Sequence, residues 1–472
     1  MQAKGNFVTN EDIQKIHEAV VNILSEKGVR FYDEKALKVF RENGAKVEDE
    51  IVYIDKELLN KALATVPDKF ELEGRDSKYN VTVGGGDPVF CPAYGPVFVK
   101  KGTETKSATC NDMVRFTKLV QSSKTINMLN PYVVTPQDID VDRLQMYQQA
   151  VCLKYGTKPT MGITAGYDMS KKCIKLIKDF YDKHDKHVVI GLCSALSPLS
   201  YDEAMIGGIF AYAEENQPII FGCGALPGAT SPVTLAGTMA VATSELLAGI
   251  VLAQLINPGV PVVFGNVAAS TDLRYVTPAI GTPEAGLIAM FSRAITKFYG
   301  IPCRGGGALS DSKLPDMQAG IETMFTLLPA IVSGIDYVIH ACGILDSFNI
   351  ISYEKFIIDE QSIEMTKRFV NGFEINDDTL GLDTIKTVDH GGQYLEQMHT
   401  AMHFRNEHFA PKLFERASFE VWEKNGSKTV LDNALAEMDS RLEGYSEPEM
   451  TERQKELISE YLNIKGEEKC TI

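Results

Sequence analysis

The sequence is short of positive charge. Its 472 residues contain 47 Lys and Arg against 63 Asp and Glu, which gives a formal net charge of −16. An acidic surface repels phosphate backbones, so nucleic acid is not expected as a partner. No apolar run of the roughly 20 residues that a membrane helix needs is apparent, and the first residues contain no apolar signal core. The composition therefore predicts a soluble, cytoplasmic protein with no nucleic-acid or membrane partner.

The nine cysteines lack any paired spacing. No two of them form a CxxC motif and their number is odd, which is typical of reduced, buried thiols and not of a disulfide framework. Hydrophobic residues make up 44% of the chain, enough for a large packed core.

Several motifs that are typical of nucleotide-binding proteins and hydrolases are also missing. No GxGxxG follows an early strand, no GxSxG elbow is present, and the glycine-rich loop Gly222–Gly228 is not followed by GK[ST]. A phosphate cradle at that loop is the weaker interpretation, and a tight turn is the stronger one. The DxHxxG pattern of corrinoid carriers is absent too, so this chain is not expected to hold a corrinoid itself.

What the sequence does contain is a regular alternation of strand-like and helix-like segments. The strand-like segments are apolar and rich in β-branched residues: Val89–Tyr94, Met128–Val134, Pro159–Thr164, His187–Cys193, Pro218–Cys223, Val260–Asn266, Ile301–Gly305 and Ile335–Cys342. The helix-like segments follow them: Asn111–Val120, Val141–Leu153, Met169–Asp182, Ser200–Glu215, Val233–Ile256, Pro283–Tyr299, Asp316–Val332 and Tyr353–Asn371. Eight such units predict an α/β fold, a (β/α)8 TIM barrel with N-terminal and C-terminal helical appendages, over an open doubly wound sheet.

Three regions follow from this alternation. Residues 1–80 are predicted to be an N-terminal helical segment, residues 81–375 the catalytic barrel, and residues 376–472 a C-terminal helical appendage. Within the appendage the pattern predicts helices at Asn376–Val388, Tyr394–Arg405 and Thr451–Leu462. The appendage either packs on the outside of the barrel or extends to a neighbouring subunit.

In such barrels the active site lies where strands end and the following loops begin. The candidate residues at strand ends are Tyr94, Asn266, Arg304 and His340. The loop after the seventh strand adds Ser310 and Asp311, which can equally start the next helix as capping residues.

A histidine cluster offers a metal-binding alternative. His399 and His403 are four residues apart, on one face of a predicted helix, and His408 follows. Thr400 stands where a HExxH motif has Glu, so we favour packing of these histidines as polar-tipped core residues over a zinc site. No metal ligand set is predicted.

Four segments together resemble the trimethylamine methyltransferase family. They are Gly306-Gly-Ala-Leu-Ser-Asp-Ser-Lys-Leu-Pro-Asp-Met-Gln-Ala-Gly320, Ile335–Leu345, Ile351-Ser-Tyr-Glu354 and His399-Thr-Ala-Met-His-Phe-Arg405. The resemblance covers nearly the whole chain. It implies a barrel enzyme that passes a methyl group from an amine to the Co(I) corrinoid of a separate carrier protein, with no cofactor bound in this chain.

The resemblance also implies a substrate class. Archaeal members carry pyrrolysine at the barrel mouth, and this sequence has only the twenty ordinary residues. A neutral amine is a poor methyl donor because it would leave as an anion, whereas a quaternary ammonium leaves as a neutral tertiary amine. Members similar to this one act on betaine-like substrates, so we expect a quaternary amine of the glycine betaine, proline betaine, carnitine or γ-butyrobetaine type.

Such a substrate makes two demands on its pocket. The trimethylammonium group should lie against aromatic faces, for which Tyr94 and Phe348 are the candidates; Phe221 and Phe264 are further aromatics for which core packing is favoured. The carboxylate should meet Arg304, Asn266, His340 or backbone amides. Arg304 can equally pair with a carboxylate of the wall, and His340 can equally be a core histidine whose hydrogen bonds are satisfied. The expected partners are the small quaternary amine, its corrinoid protein and further copies of this chain. The rival hypotheses are a metal-dependent enzyme that uses the histidine cluster and a betaine-binding protein without catalysis.

Overall fold

The N-terminal region of this computed structural model, which describes residues 8–267 and 270–463, opens with a capping box. The Thr9 hydroxyl accepts from the Asp12 N–H, and the Asp12 carboxylate accepts from the Thr9 N–H, which fixes the start of the first helix. The elements are α1 Asn10–Asn22 with a π-helical turn at Ile23–Lys27, β1 Val29–Phe31, α2 Glu34–Glu42, β2 Lys46–Glu48, β3 Ile51–Tyr53, α3 Lys56–Leu63, β4 Phe70–Leu72 and β5 Val81–Val83.

This region combines its three helices with short strands: four of them lie within residues 1–80, and β5 follows at Val81–Val83. β1 pairs antiparallel with β3 and also in parallel with Ser200–Tyr201, far along the chain. Strands of three residues are too short to show a period of two, and their pairing partner decides their conformation. The sheet crosses the boundary that the sequence predicts near residue 80.

The central region alternates strands with helices. Its elements are β6 Val89–Phe90, β7 Phe98–Lys101, β8 Glu104–Ser107, α4 Cys110–Ser122, α5 Val141–Tyr155, β9 Thr160–Met161, α6 Gly166–Tyr181, β10 Val189–Ser194, β11 Ser200–Tyr201, α7 Glu203–Glu214, β12 Ile219–Cys223, α8 Leu235–Ile256, β13 Val262–Asn266, β14 Ser270–Asp272, β15 Thr277–Ala279, α9 Pro283–Tyr299, β16 Arg304–Gly306, α10 Met317–Ser333, β17 Tyr337–Ile339, β18 Ile344–Leu345, β19 Ile350–Ser352 and α11 Tyr353–Val370.

Each of the eight predicted helices is present, and α9 has the predicted bounds. The predicted strand at Met128–Val134 is the exception among the strands, because Leu129 makes only an isolated parallel bridge to Thr160. The chain turns at this point, since the side-chain amide of Asn130 accepts from the Tyr132 N–H and donates to the Ala93 carbonyl.

Parallel pairing arranges the central strands in two groups. β9, β10, β12 and β13 are neighbours in that order, and β16, β17 and β6 are neighbours in the second group. An isolated parallel bridge between Phe264 and Cys303 links β13 to the start of β16. The fold is therefore of the α/β class, with parallel strands joined by helices.

β9 and β6 are the remaining outer strands of the two groups, and the segment at residues 127–129 connects them by hydrogen bonds. The N–H groups of Asn127 and Met128 both donate to the Phe90 carbonyl, at 2.8 and 3.2 Å, and Leu129 bridges to β9. Side chains on the inner face of the strands form a core cluster of their own: Phe70, Leu72, Val83, Val89, Cys91, Met128, Met161, Ile190, Ile220, Val263, Tyr337 and Ile339.

Helix α8 is long and apolar enough, by length and composition, to cross a membrane. The expectation that no such run exists is therefore wrong. Most of the helix is buried, and it packs against α1, α3, α7 and the strand β12. Burial on all sides, as the central helix of a folded core, accounts for its hydrophobicity.

The C-terminal region contains α12 Asp377–Leu380, α13 Leu382–Thr387, α14 Met398–Glu407, α15 Phe419–Lys424, α16 Val430–Glu443 and α17 Glu452–Leu462. The predicted helix at Asn376–Val388 is broken at Gly381, which has φ 58°. The expected packing of the histidines in a core is wrong, because α14 has no buried residue.

Candidate functional site

Arg304, at the start of β16, lies among the side chains of the inner cluster. Its side chain is buried, with 3% exposure, and its Nε and Nη1 atoms have no hydrogen-bond partner. Burial lowers the pKa of its guanidinium to about 10. Gly265, on the neighbouring strand, leaves room for it: a Cβ there would lie 3.3 Å from the Arg304 Cδ and 2.5 Å from the Phe221 carbonyl oxygen.

The ionisable groups that interact with the Arg304 guanidinium are weak acids. Those that act on its pKa are the thiols of Cys91 and Cys303 and the phenols of Tyr337 and Tyr94. Burial raises the pKa of each of these groups, so they are neutral at physiological pH. Within the described ranges, no carboxylate is among the groups named as acting on the Arg304 charge. A buried cation without a counter-ion is costly and suits a site that takes an anionic ligand.

Two aromatic side chains whose pKa values the Arg304 charge affects, Tyr94 and His340, belong to a connected group of four. The ring centroids of Tyr94 and Tyr132 are 4.7 Å apart, and those of His340 and Phe348 are 4.6 Å apart. Tyr94 and His340, at 6.5 Å with their rings nearly perpendicular, connect the two pairs. We call these four residues the aromatic row.

His340 is held in one protonation state. The Tyr94 N–H donates to its Nδ1 at 3.2 Å, so the proton of the neutral ring is on Nε2. Burial and the nearby Arg304 charge keep its pKa well below the usual value. The backbone is left-handed here, with φ 59°, and is fixed on both sides by bonds to Pro92 and Ala308. His340 can therefore donate one hydrogen bond and stays uncharged.

Phe348 is presented by a strained loop. Asp346, Ser347 and Phe348 all have positive φ, of 49°, 50° and 79°. The N–H groups of Asp346 and Ser347 donate to the carbonyls of Ser312 and Ser310, and the Ser347 hydroxyl donates to the Asp311 carboxylate at 2.5 Å. The loop after β16 therefore holds the loop that carries Phe348.

Ser310 and Asp311 take part in this framework. The Asp311 carboxylate also accepts from the N–H groups of Ile280 and Gly281, at 3.0 and 2.9 Å. The Ser310 hydroxyl donates to Glu322 on α10 at 2.7 Å, and the Asp311 N–H donates to the same carboxylate. The polar groups of both side chains are therefore engaged by other parts of the protein.

Asn266, at the end of β13, is buried and its Nδ2 lies 3.2 Å from the Met239 sulfur. Together with Phe348 and Leu309 it lines a cavity of about 20 Å³, room for about one water molecule. The structure thus brings Tyr94, Asn266, His340 and Phe348 to the carboxyl ends of the strands. Arg304 is the first residue of β16 and not at its end as predicted, but its charge acts on the pKa values of Tyr94 and His340. Phe221 and Phe264 are fully buried in the core between strands and helices.

Two features near the strand ends escape the sequence analysis. Tyr132 belongs to the aromatic row, although the sequence places it inside a predicted strand. Its position just after Asn130-Pro131 is the signal in the sequence that indicates a turn there.

Glu245, buried in α8, accepts from the Ser197 hydroxyl, the Leu199 N–H and the Cys223 thiol at 2.7, 2.7 and 2.8 Å. Burial raises its pKa, and these three donors tie the loop after β10 to the end of β12.

The histidine cluster forms no metal centre in the part of the chain that the structure describes. The rings of His399 and His403 lie 4.4 Å apart, and His403 Nε2 is 3.4 Å from the Asp378 carboxylate. No group of three or more His, Cys, Asp or Glu suited to a metal ion occurs in residues 8–267 and 270–463.

A fold of parallel strands and helices, with a buried cation and aromatic side chains gathered at the strand ends, defines an α/β enzyme with a small-molecule site. The comparison with known sequences gives the family. Residues 2–469 match the trimethylamine methyltransferase (MTTB) family, and the chain belongs to it.

Curated relatives cover nearly all of the chain. It is 36% identical to a glycine betaine methyltransferase of Desulfitobacterium hafniense (strain Y51), over 98% of both chains. It is 35% identical to a proline betaine:corrinoid methyltransferase of Eubacterium limosum over 97% of both, and 32% identical to an L-carnitine:corrinoid methyltransferase of the same organism over 96% of both.

A solved structure shares the fold. The monomethylamine methyltransferase of Methanosarcina barkeri aligns over 92% of this chain and 93% of its own, with a TM-score of 0.50 and 11% identity.

Proposed function

We propose that this protein transfers a methyl group from a quaternary amine that carries a carboxylate to the Co(I) corrinoid of a separate carrier protein. Relatives over the whole chain are named for glycine betaine, proline betaine and carnitine, which all combine these two groups. The observation that carries the proposal is Arg304, a buried guanidinium with two unpartnered nitrogens beside the aromatic row.

The chemistry needs no proton transfer by the protein. The cobalt nucleophile supplies an electron pair to the methyl carbon, the carbon–nitrogen bond breaks, and its electron pair stays on nitrogen. The amine leaves as a neutral tertiary amine because the nitrogen is already cationic. The residues of this chain therefore only bind, align and exclude water. The neutral state of His340 and the phenols of Tyr94 and Tyr132 agrees with this.

The two ends of the substrate match the two parts of the site. A trimethylammonium group has no hydrogen-bond donor or acceptor and is attracted to aromatic faces, which the aromatic row supplies. The carboxylate meets Arg304, with the Nε2–H of His340 as a second donor. Asn266, at the same strand ends, is a third contact for the substrate, and Ser310 and Asp311 hold the Phe348 loop.

We also infer that the eight parallel segments close into a (β/α)8 barrel. Support comes from the parallel bridge between Phe264 and Cys303 on one side and from the bonds of residues 127–129 with Phe90 and Thr160 on the other. The site would then lie at the mouth of the barrel, where a carrier protein in the cytoplasm can approach it. The corrinoid is a substrate held by that partner.

Methyl transfer to the carrier tests the proposal. The protein is incubated with a reduced corrinoid carrier protein and a panel of quaternary amines, and methyl-cobalt formation is followed by absorbance. We expect methylation with at least one carboxylate-bearing betaine and none with choline, which is quaternary but has no carboxylate.

Each alternative has its own outcome in this experiment. Betaine binding without methylation by any quaternary amine would leave only a binding protein. Stoichiometric zinc in the purified protein, with activity that a chelator abolishes, would favour the metal-dependent enzyme. Methylation with choline as fast as with betaines would remove the role given to Arg304.

A further inference from the structure

An apolar cavity of about 430 Å³ lies between α1, α8 and α9. Of the nine described residues that line it, seven are hydrophobic, and the other two are Asp12 and Lys15. The Asp12 carboxylate accepts from the Thr9 N–H, and the Lys15 ammonium donates to Glu11 at 2.8 Å. Because its two charged side chains are already paired, the cavity offers a ligand hydrocarbon surface.

Two buried side chains separate this cavity from the substrate site proposed above. Ile288, on α9, lines both the large cavity and the cavity of about 20 Å³ beside Asn266 and Phe348. Met239, on α8, also lines the large cavity, and its sulfur lies 3.2 Å from the Asn266 Nδ2. Both side chains are 2% exposed. We call Ile288 and Met239 the partition.

The small cavity is confined on its other sides by fixed structure. β13 and β16 are paired to neighbouring strands, and the Ser347–Asp311 bond holds the loop of Phe348. The Leu309 N–H donates to the Thr326 hydroxyl at 3.2 Å, which fixes the segment after β16 to α10. Only the partition has empty space behind it, so a larger substituent on the ammonium nitrogen would have to pass it.

We propose that the partition determines substrate specificity by restricting the ammonium nitrogen to substituents of about the size of a methyl group. When the partition is shortened, the cavity behind it accepts a longer alkyl substituent, because burial of each added methylene in an apolar space is favourable. This inference rests on the proposed function, which places the ammonium group beside Phe348.

The two partition residues contribute unequally. Ile288 is branched at Cβ and has one strongly preferred rotamer in a helix, so it forms a stiff part of the wall. Met239 is unbranched and adapts its shape more easily. Truncation of Ile288 should therefore have the larger effect on specificity.

Two matched substrates test the proposal with the full-length protein and the reduced carrier. One is the betaine that the unmodified protein accepts, and the other is its analogue in which N-butyl replaces one N-methyl group. The analogue keeps the carboxylate, the permanent charge and two transferable methyl groups. We expect the unmodified protein to use it poorly.

The variants should change the preference between these substrates. Ile288→Ala should raise the kcat/KM ratio of the butyl analogue to the parent betaine at least about tenfold, because one methylene in an apolar pocket changes specificity about 10- to 200-fold. Ile288→Val and Met239→Ala should raise the ratio less. Ile295→Ala makes the same truncation at a buried residue of α9 that lines neither cavity, and it should leave the ratio unchanged.

Calorimetric binding of the two compounds without the carrier measures the partition independently of methyl transfer, and circular dichroism confirms that each variant is folded. Equal use of both compounds by the unmodified protein would overturn the proposal. So would folded Ile288→Ala and Met239→Ala variants that accept the parent betaine and still exclude the butyl analogue. Failure of the unmodified protein to bind or demethylate any betaine would instead reject the proposed function, and this inference with it.

Discussion

At the residue scale, the proposed function depends on the positive charge of Arg304. Arg304 keeps a guanidinium buried among neutral groups, and this lowers its pKa to about 10. The sequence predicted Arg304 as a carboxylate ligand from its place at a strand end. It did not predict the missing counter-ion, because burial and pairing depend on which strands become neighbours. Tyr132 was missed for a related reason: it follows a segment that turns instead of continuing as a strand.

Replacement of Arg304 by Gln should separate stability from function. Without substrate, the variant no longer buries an unpaired charge, so we expect an equal or higher melting temperature. The betaine carboxylate loses its partner, which costs about 2–5 kcal/mol, roughly a 30-fold to more than 1,000-fold loss in kcat/KM. Thermal unfolding and methyl-cobalt formation measure the two effects. Arg304→Lys should recover part of the activity; a variant that is both destabilised and fully active would contradict the role of this charge.

Betaine binding should also weaken at alkaline pH. Because the pKa of Arg304 is lowered to about 10, the free protein loses this positive charge as pH rises through that value. The charged form binds the carboxylate, so the dissociation constant should be flat below the pKa and rise above it, about tenfold per pH unit. Calorimetric titration across this range checks the expectation, with circular dichroism to confirm folding. A constant affinity well above the pKa would show that Arg304 does not hold the carboxylate.

The aromatic row makes a prediction about side-chain chemistry. Tyr132→Ala and Phe348→Ala should each raise KM by about 2- to 30-fold, since one cation–aromatic contact is worth about 0.5–2 kcal/mol. Tyr132→Phe keeps the ring face and should behave like the unmodified protein. If the Phe and Ala variants of Tyr132 lose activity equally, the hydroxyl and not the ring would be the functional group.

At the element scale, periodicity predicted the helices well and the short strands poorly. Helices such as α9 carry their own signals, with Thr282 before Pro283 at the start and Gly300 at the end. The N-terminal strands have three residues each and form only through distant partners, as β1 does with β11. The same limit applies to the site: the sequence identified Ser310 and Asp311, and only the structure shows that they fix the loop of Phe348.

The loop contact can be tested through Asp311. Asp311→Ala removes three hydrogen bonds, from Ile280, Gly281 and Ser347. We expect a loss of about 1–3 kcal/mol of stability, because buried donors lose their acceptor, and a higher KM as Phe348 loses its support. Thermal unfolding and steady-state kinetics give both values. Asp142→Ala, on an exposed residue, is the control and should change neither; a change in kcat alone for Asp311→Ala would indicate a catalytic role instead.

At the scale of the whole molecule, the chain combines a strong acidic charge with large exposed apolar surfaces. The net charge of −16 makes copies of the chain repel one another. Of the two alternatives that the sequence leaves for the C-terminal appendage, the structure shows the packing on the central region for its last two helices: α16 packs against α4 and α11, and α17 packs against α5 and α6.

The most direct test of the account compares a quaternary amine with its tertiary counterpart. Glycine betaine and dimethylglycine carry the same carboxylate and differ in the permanent charge on nitrogen. With the reduced carrier and this protein, methyl-cobalt should form from the betaine accepted by the site, whichever member of the panel it is, and not from the matched tertiary amine. Equal rates from both members of such a pair would contradict the claim that a cationic leaving nitrogen replaces any special residue in this site.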